Sequence, residues 1–334
     1  VIMSEHNIGE KRKKKKTKIP LWGKILLGLF LVVILAISVG AGLFYSTLNK
    51  LDTVEIEEEN LGITPIEELE VYEAPEKIKN IALFGVDSEN GVGRSDSIMI
   101  ATIDPIHNKL KITSIMRDSY VNIEGRGYDK INHAYAFGGP ELAIKTINQN
   151  FGLNIDDFVA VDFNSLPKII NILGGITLNI TNEELQYINS YIDDINRKDG
   201  TSSPHISNTG EQYVDGVQAL AYSRIRYTSG GDYKRTERQR TVLNKLFESA
   251  SNIAPSQYLS VINQVLPFVR TSMTSTNILE LGTKIATMGK SSLEQERFPR
   301  DGYCSGQNIN GVYYLVFDEV ATKQQMQDYI FDDK

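Results

Sequence analysis

The sequence predicts an α/β fold: a single α/β/α sandwich domain with a mixed central sheet, preceded by one transmembrane helix. From Ile78 onward, short apolar runs typical of strands alternate with helical periodicity, and no internal repeat is present. That alternation indicates one sheet with helices on both faces. Before it, Ile25 to Tyr45 form an uncharged, strongly apolar stretch of 21 residues. A helix of that length would cross the roughly 30 Å hydrocarbon core of a bilayer.

The N-terminal segment, residues 1–20, is a basic tail with an unbroken run of lysine and arginine from Lys11 to Lys16. Such a run alone would also suit nuclear import or nucleic-acid binding. The apolar stretch behind it favours a membrane anchor over 21–45, with Trp22 and Tyr45 at the two interfaces. Because basic residues stay on the cytoplasmic side, we expect the rest of the chain to be extracytoplasmic. A cleaved signal peptide is the alternative, but its apolar region would usually be only about 7–15 residues long.

Charge, cysteine and motif content narrow the functional class. The net charge is −7, and the basic tail leaves 27 basic against 40 acidic residues from Ile25 onward. A body this acidic argues against a general nucleic-acid binder. The single cysteine, Cys304, excludes an internal disulfide, and no histidine or cysteine cluster indicates zinc. The sequence also lacks the P-loop, dinucleotide, nucleophile-elbow and kinase motifs.

Residues 46–77 are rich in acidic side chains and have little apolar periodicity, which predicts a solvated linker. The folded domain is predicted over 78–334. Its predicted strands are 78–86, 97–103, 109–116, 157–163 and 311–317. Its predicted helices are 140–151, 165–173, 215–222, 233–252, 256–268, 277–288 and 319–330. A segment rich in Ser, Asn and Gly at 196–209 predicts a surface loop.

Two pairs of charged residues lie at strand ends. Arg94 and Asp96 are two residues apart, so an extended backbone would place them on the same side, although a surface ion pair is the alternative. Arg117 and Asp118 end the apolar strand 109–116, where open α/β sheets usually bind their ligands. Ordinary solvation of a strand end explains this second pair equally well.

The segment 128–135 carries one residue suited to phosphate binding and one suited to a structural role. Lys130 can meet a phosphate as a point charge. His133 has no visible catalytic partner in the sequence, so a hydrogen-bonded structural histidine is the better interpretation.

The strongest signal is a group of five arginines within 17 residues: Arg224, Arg226, Arg235, Arg238 and Arg240. The helix that bears the last three is predicted to open at Asp232, a good N-cap residue. Arg235 would then lie in the first turn, where the helix dipole disfavours positive charge, and would share a face with Gln239 and Arg238. An anion, most naturally a phosphate, would relieve that repulsion. A solvated basic face suits Arg240 but explains the first-turn charges poorly.

In their order behind one membrane span, these four clusters resemble the LytR-CpsA-Psr family. The matching segments, with the family elements that they resemble, are Gly93–Ser97 (Arg-Ser-Asp), Ser114–Ser119 (Ile-Pro-Arg-Asp), Lys130–Gly139 (Lys-Ile-Asn-His-Ala-Tyr-x-x-Gly-Gly) and Tyr222–Arg240 (Arg-x-Arg-Tyr…Asp-x-x-Arg-x-x-Arg-Gln). Met116 stands in place of the family's proline and Ser119 in place of its usual threonine. Neither change removes a charged group.

The resemblance implies an apolar tunnel for a polyprenyl chain that opens onto an arginine-lined pyrophosphate site. The run Leu166–Leu173 would suit such a tunnel and an ordinary core equally well. A Mg²⁺ or Mn²⁺ ion is implied between Asp96 and Asp232. The residues expected to bind the substrate are Arg94, Arg117, Lys130, Arg224, Arg226, Arg235, Arg238 and Gln239. Direct roles in catalysis are expected for Arg117, Asp118 and Arg235, while either Asp118 or Asp96 would accept a proton.

The family attaches wall teichoic acid, capsule or similar polymers to peptidoglycan. The resemblance therefore implies a phosphotransferase that works in Gram-positive cell-wall assembly. Together with the predicted anchor and the acidic body, it indicates a membrane-anchored, extracytoplasmic enzyme that binds no nucleic acid. Its partners would be a polyprenyl-pyrophosphate-linked glycopolymer and peptidoglycan. A polyprenyl-pyrophosphate hydrolase would use the same residues with water as the acceptor. A membrane-bound transcriptional regulator is a further alternative, which the acidic body and the outward orientation oppose.

Overall fold

The structure, a computed structural model, describes residues 52–89, 92–162, 165–251, 253, 257–288 and 292–334. Within these ranges, no helix is both long and apolar enough to cross a bilayer. The basic tail and the anchor predicted over 21–45 lie outside the described residues.

The described strands and helices alternate along the chain. The strands are β1 (Asp52–Thr53), β2 (Lys79–Glu89), β3 (Val92–Asp104), β4 (Lys109–Ile115), β5 (Tyr120–Ile123), β6 (Gly127–Lys130), β7 (Asp157–Asp162), β8 (Ile176–Ile180), β9 (Gly210–Val214), β10 (Val269–Thr271), β11 (Ser292–Phe298), β12 (Cys304–Ile309) and β13 (Val312–Phe317). The α-helices are α1 (Ile66–Leu69), α2 (Ile131–Phe151), α3 (Leu166–Ile172), α4 (Asn182–Asp199), α5 (Gly216–Arg224), α6 (Gly231–Ser251), α7 (Tyr258–Val265), α8 (Ser275–Thr287) and α9 (Glu319–Asp332).

A seven-stranded sheet with the order β1-β10-β7-β2-β3-β4-β11 forms the centre of the fold. Strand β2 pairs antiparallel with β3 and parallel with β7, whereas β4 pairs antiparallel with β3 and parallel with β11. The mixed central sheet predicted from the sequence is therefore confirmed. The hairpins β5–β6, β8–β9 and β12–β13 stand outside this sheet.

Each face of the central sheet carries an apolar core. Along β2, Ala82 and Phe84 belong to the larger core, which α2 and α9 cover. The alternate residues of β2, Ile81 and Leu83, belong to a smaller core on the other face, together with Met273 and residues of α8. Because side chains alternate across a strand, helices must cover both faces of this sheet, as predicted.

A third core lies among α4, α5, α6 and the β8–β9 hairpin. Capping boxes at Thr181 and Asp215 begin α4 and α5. Helix α4 buries Ile188, Ile192 and Ile195, one face of its amphipathic pattern. Helix α4 was not predicted from the sequence, although Thr181 followed by Glu184 is a capping-box signature. The predicted loop at 196–209 consequently begins only after Asp199.

Two boundaries differ from those predicted. The described part of the predicted linker, residues 52–77, packs onto the domain, because Leu61, Leu69 and Tyr72 are buried in the larger core. Its short turns give no periodicity from which this packing could be predicted. Helix α2 begins nine residues before the predicted start at Pro140. It consists of two helical segments, separated by non-helical backbone at Gly138 and Gly139, and only the second segment was predicted.

Candidate active site

A β-bulge in β3 forms one wall of the site. Gly85 of β2 pairs with Ser97 and Val86 pairs with Ser95, so Asp96 is an extra residue between two regular pairs. Bulges bend a strand and re-aim a side chain. Strand alternation therefore fails at this point, and Asp96 lines a cavity.

A chain of alternating charges leads away from Asp96. Arg117 donates from Nη1 to Asp96 Oδ1 at 2.8 Å, and its Nε lies 3.4 Å from Asp118 Oδ2. Lys130 donates from Nζ to Asp118 Oδ1 at 2.7 Å. These four side chains are only 11–19% exposed, so solvent ions screen them less than surface pairs. The structure thus brings together four predicted residues from three separate segments.

A polar cavity of about 340 Å³ lies beside Asp96. Arg235 and Gln239 are one turn apart on α6 and are 2% and 8% exposed. The described residues that line it are Asp96, Tyr191, Ser223, Arg224, Arg226, Tyr227, Arg235 and Gln239. Arginines gathered around one small cavity repel each other, and a bound phosphate with its several oxygens offsets that repulsion. The cavity is therefore suited to a phosphate-bearing ligand.

An apolar cavity of about 230 Å³ adjoins the polar one, and the two share Ser223 and Gln239. Leu166 and Ile169 of α3 line it, so this part of the run 166–173 borders a cavity. The other lining residues are Leu83, Phe84, Gly85, Ser97, Met99, Val159, Val161, Val242 and Leu246. The joined cavities fit a molecule that carries an apolar chain on an anionic head group.

Several predicted residues lie elsewhere. Arg94 is exposed on β3 and is not among the lining residues of the polar cavity. Lys130 is held by Asp118 outside that lining. Helix α6 begins at Gly231, so Asp232 is its second residue and not its N-cap, and its side chain lies outside the described part of the structure. Arg235 is consequently the fifth residue of the helix, beyond the first turn.

Arg238, predicted to bind substrate, occupies a buried structural position instead. Its guanidinium donates to Glu184 Oε1 at 2.7 Å, to Thr228 Oγ1 at 2.7 Å and to the Ile225 carbonyl at 3.2 Å. It also lies over the Tyr222 ring. These contacts join α6 to α4 and to the α5–α6 connection, so Arg238 stabilises the frame that holds the cavity.

Arg238→Ala is expected to destabilise the protein by about 3–5 kcal/mol, because it leaves Glu184 as an unpaired buried charge. Urea unfolding of the purified protein measures this change. Arg197→Ala serves as the control, since Arg197 pairs with Asp194 at the surface and should contribute at most about 1 kcal/mol. If the two variants were equally stable, the structural role of Arg238 would be contradicted.

His133 has the structural role that the sequence favoured. Its Nδ1 lies 2.8 Å from Oδ2 of Asp129, which stands four residues earlier in β6. Burial raises the pKa of Asp129, but hydrogen bonds from His133 and from the Lys130 amide outweigh this effect and leave the pKa below its usual range. Asp129 is therefore a carboxylate at neutral pH.

Four residues of the site were not predicted from the sequence. Tyr191 belongs to α4, which was not predicted. Ser223 and Tyr227 lie inside the arginine-rich segment, where adjacency to Arg224 and Arg226 was the available signal. Asn132 donates from Nδ2 to Asp96 Oδ1 at 3.4 Å and lies in the segment around Lys130.

One described carboxylate, Asp96, stands at the polar cavity and fits a divalent cation. No group of three or more His, Cys, Asp or Glu side chains that could hold a metal occurs among the described residues. Mg²⁺, however, commonly binds phosphate ligands with only one or two protein carboxylates. A single carboxylate beside an arginine-lined cavity satisfies that requirement.

The fold and the joined cavities define an α/β protein that accommodates an amphipathic anion. The chain belongs to the LytR_cpsA_psr family, whose profile matches residues 44–329. It is 32% identical to the polyisoprenyl-teichoic acid–peptidoglycan teichoic acid transferase TagU of Oceanobacillus iheyensis, over 92% of this chain and 93% of that protein. Identity to TagU of Bacillus subtilis is 31%, over 93% and 94% of the two chains. The structure of TagT bound to LI-WTA superposes with a TM-score of 0.62 at 25% identity, over 78% of this chain and 92% of that one.

Proposed function

We propose that this protein is a phosphotransferase that moves a polyprenyl-pyrophosphate-linked glycopolymer, such as a teichoic acid, onto peptidoglycan. The observation that carries the proposal is the junction of the apolar and polar cavities at Ser223 and Gln239. A prenyl chain would occupy the apolar cavity while its pyrophosphate meets the arginines. The relatives named TagU, which align over nearly their full length, support this choice of donor and acceptor.

In the reaction, an acceptor hydroxyl attacks the phosphorus that bears the polymer, and polyprenyl phosphate leaves. Arg224, Arg226, Arg235 and Gln239 bind the pyrophosphate and neutralise its charge, since positioning and charge neutralisation are the main needs of phosphoryl transfer. A Mg²⁺ or Mn²⁺ ion, held by Asp96 with Asp232 as the second expected ligand, would add positive charge at the phosphate oxygens.

Arg117 and Asp118 lie next to the carboxylate that lines the polar cavity. Arg117 contacts Asp96 at the cavity wall and so approaches the transferred phosphate. Asp118 lies beside Arg117 and accepts a hydrogen bond from Lys130. We assign proton acceptance to Asp118, because Asp96 is the carboxylate at the cavity where the cation would bind.

The apolar cavity provides the test of this function. Val161→Phe should fill part of the cavity and weaken binding of a long polyprenyl pyrophosphate by about ten-fold or more, since each buried methylene contributes about 0.8 kcal/mol. Inorganic pyrophosphate should bind as before. Val320→Phe, at a residue 82% exposed, is the control. Unchanged lipid affinity in Val161→Phe would contradict the assignment of this cavity to the prenyl chain.

Transfer and hydrolysis differ in their products. With purified peptidoglycan present, the transferase attaches labelled polymer to it, whereas a pyrophosphate hydrolase releases free polymer phosphate at the same rate with or without peptidoglycan. Release of free polymer phosphate at an unchanged rate would contradict the proposed transfer and identify the protein as a hydrolase.

We also propose that residues 21–45 anchor the protein in the cell membrane in a single pass, with the N-terminus cytoplasmic. The run of basic residues before the apolar stretch supports this orientation. Protease added to intact spheroplasts should therefore degrade the domain that follows residue 46. Full protection of that domain, with degradation after lysis, would reverse the orientation and exclude transfer to peptidoglycan.

A further inference from the structure

Four tyrosines from three strands meet beside Lys130, and we call Tyr120, Tyr128, Tyr313 and Tyr314 the tyrosine patch. The ring centroid of Tyr120 lies 5.1 Å from that of Tyr128 and 4.7 Å from that of Tyr314. Lys130 Nζ lies 5.9 Å from the Tyr313 centroid and 5.8 Å from the Tyr314 centroid. Tyr128 is 49% and Tyr313 46% exposed. Single exposed aromatic side chains need no explanation, but a cluster of them marks a binding surface.

The polar groups of the patch suit a ligand that carries hydroxyl groups. Tyr314 Oη donates toward Asp129 Oδ1 at 3.5 Å, at the outer limit of a hydrogen bond. Because Asp129 is ionised at neutral pH, it offers acceptor oxygens beside the rings. A pyranose ring presents C–H groups on its faces and hydroxyl donors at its edge. Aromatic faces next to a carboxylate complement both parts of such a ring.

The patch is continuous with the candidate active site. Lys130 under the rings pairs with Asp118, Asp118 with Arg117, and Arg117 with Asp96 at the polar cavity. The donor lipid occupies the apolar cavity behind Ser223 and Gln239. Attacking and leaving oxygens lie roughly in line in phosphoryl transfer, so the acceptor must enter from another side. The chain of charges leads from the polar cavity to the tyrosine patch, so the patch lies on a side from which the acceptor can enter.

We propose that the tyrosine patch binds sugar rings of the peptidoglycan glycan strand and directs an acceptor hydroxyl toward Asp118 and Arg117. This inference rests on the proposed function and adds the acceptor site to it. The sugar of the donor, the membrane surface and a second copy of this chain are the competing occupants, and each predicts a different experimental result.

The test uses the full chain in detergent micelles, a synthetic polyprenyl-pyrophosphate-linked saccharide as donor and purified peptidoglycan as acceptor. Tyr128→Ala and Tyr313→Ala should each raise the KM for peptidoglycan by about five- to ten-fold, the loss expected for one aromatic contact, while the KM for the donor stays constant. Tyr128→Phe and Tyr313→Phe keep the ring and should stay within about two-fold of the wild type. Tyr213→Ala, at a tyrosine 65% exposed on the β8–β9 hairpin, is the matched control.

An unchanged KM for peptidoglycan in both alanine variants overturns the inference. A raised KM for the donor alone assigns the patch to the donor sugar. Loss of binding to phospholipid vesicles assigns it to the membrane, and loss of a dimer in sedimentation assigns it to a second copy. Co-sedimentation with peptidoglycan separates this inference from the proposed function: a wild type that transfers no polymer refutes the function, while weaker sedimentation of the alanine variants still supports the patch.

Discussion

Arg235→Ala is expected to reduce polymer transfer by about a hundred-fold or more, because it removes a preorganised positive charge from the phosphate cavity. Arg235 is 2% exposed and lines the polar cavity beside Gln239. Binding of a polyprenyl pyrophosphate should weaken by at least about ten-fold, the usual loss for one charged hydrogen bond. Transfer assays and lipid titration on the same variant measure both effects.

The stability of the ligand-free variant separates a binding arginine from a structural one. Without a ligand, Arg235→Ala should melt within a few degrees of the wild type, because its truncation enlarges a cavity that already exists. Arg238→Ala, three residues along the same helix, should melt far lower and is the matched comparison. A strongly destabilised Arg235→Ala protein with undiminished lipid affinity would falsify the anion-binding role.

Asp96→Ala and Asp232→Ala are expected to abolish the dependence of transfer on Mg²⁺ and to lower the rate by about a hundred-fold or more, since the cation neutralises charge at the transferred phosphate. Asp96→Asn refines the experiment. Its amide oxygen can still accept the hydrogen bond from Arg117, but it carries no charge for a cation.

Binding of Mn²⁺ in the presence of pyrophosphate, followed by electron paramagnetic resonance, gives a readout besides activity. Asp96→Asn should weaken Mn²⁺ binding, whereas Asp301→Asn, at an exposed residue that pairs with Arg297, should not. If Asp96→Asn keeps both Mn²⁺ binding and Mg²⁺-dependent transfer, Asp96 acts only as the partner of Arg117.

Those parts of the site that depend on local sequence were predictable. The position of Arg117 and Asp118 follows from the end of an apolar strand, and the shared face of Arg235 and Gln239 follows from helical spacing. The contact between Asp96 and Arg117 depends on the adjacency of β3 and β4 in the sheet. Local patterns carry no information on that pairing.

Arg235 and Arg238 mark the limit of this kind of prediction. Both are arginines on one helix and both become buried, but Arg235 lines the polar cavity, whereas Arg238 pairs with Glu184. Glu184, the partner of Arg238, is 54 residues away at the start of α4, a helix that was not predicted from the sequence. Tyr191 also lies on α4, so its place at the cavity was not predicted either. The long-range packing of α4 against α6 therefore decides which arginine faces the cavity.

The bulge at Asp96 has an evolutionary consequence. Regular pairing resumes on both sides of the extra residue, so the sheet keeps its register whichever side chain occupies this position. Substitutions at position 96 can therefore alter the chemistry of the cavity without changing the strand pairing. A scaffold of this kind lets selection explore new reactions at one residue while the pairing of the sheet is kept.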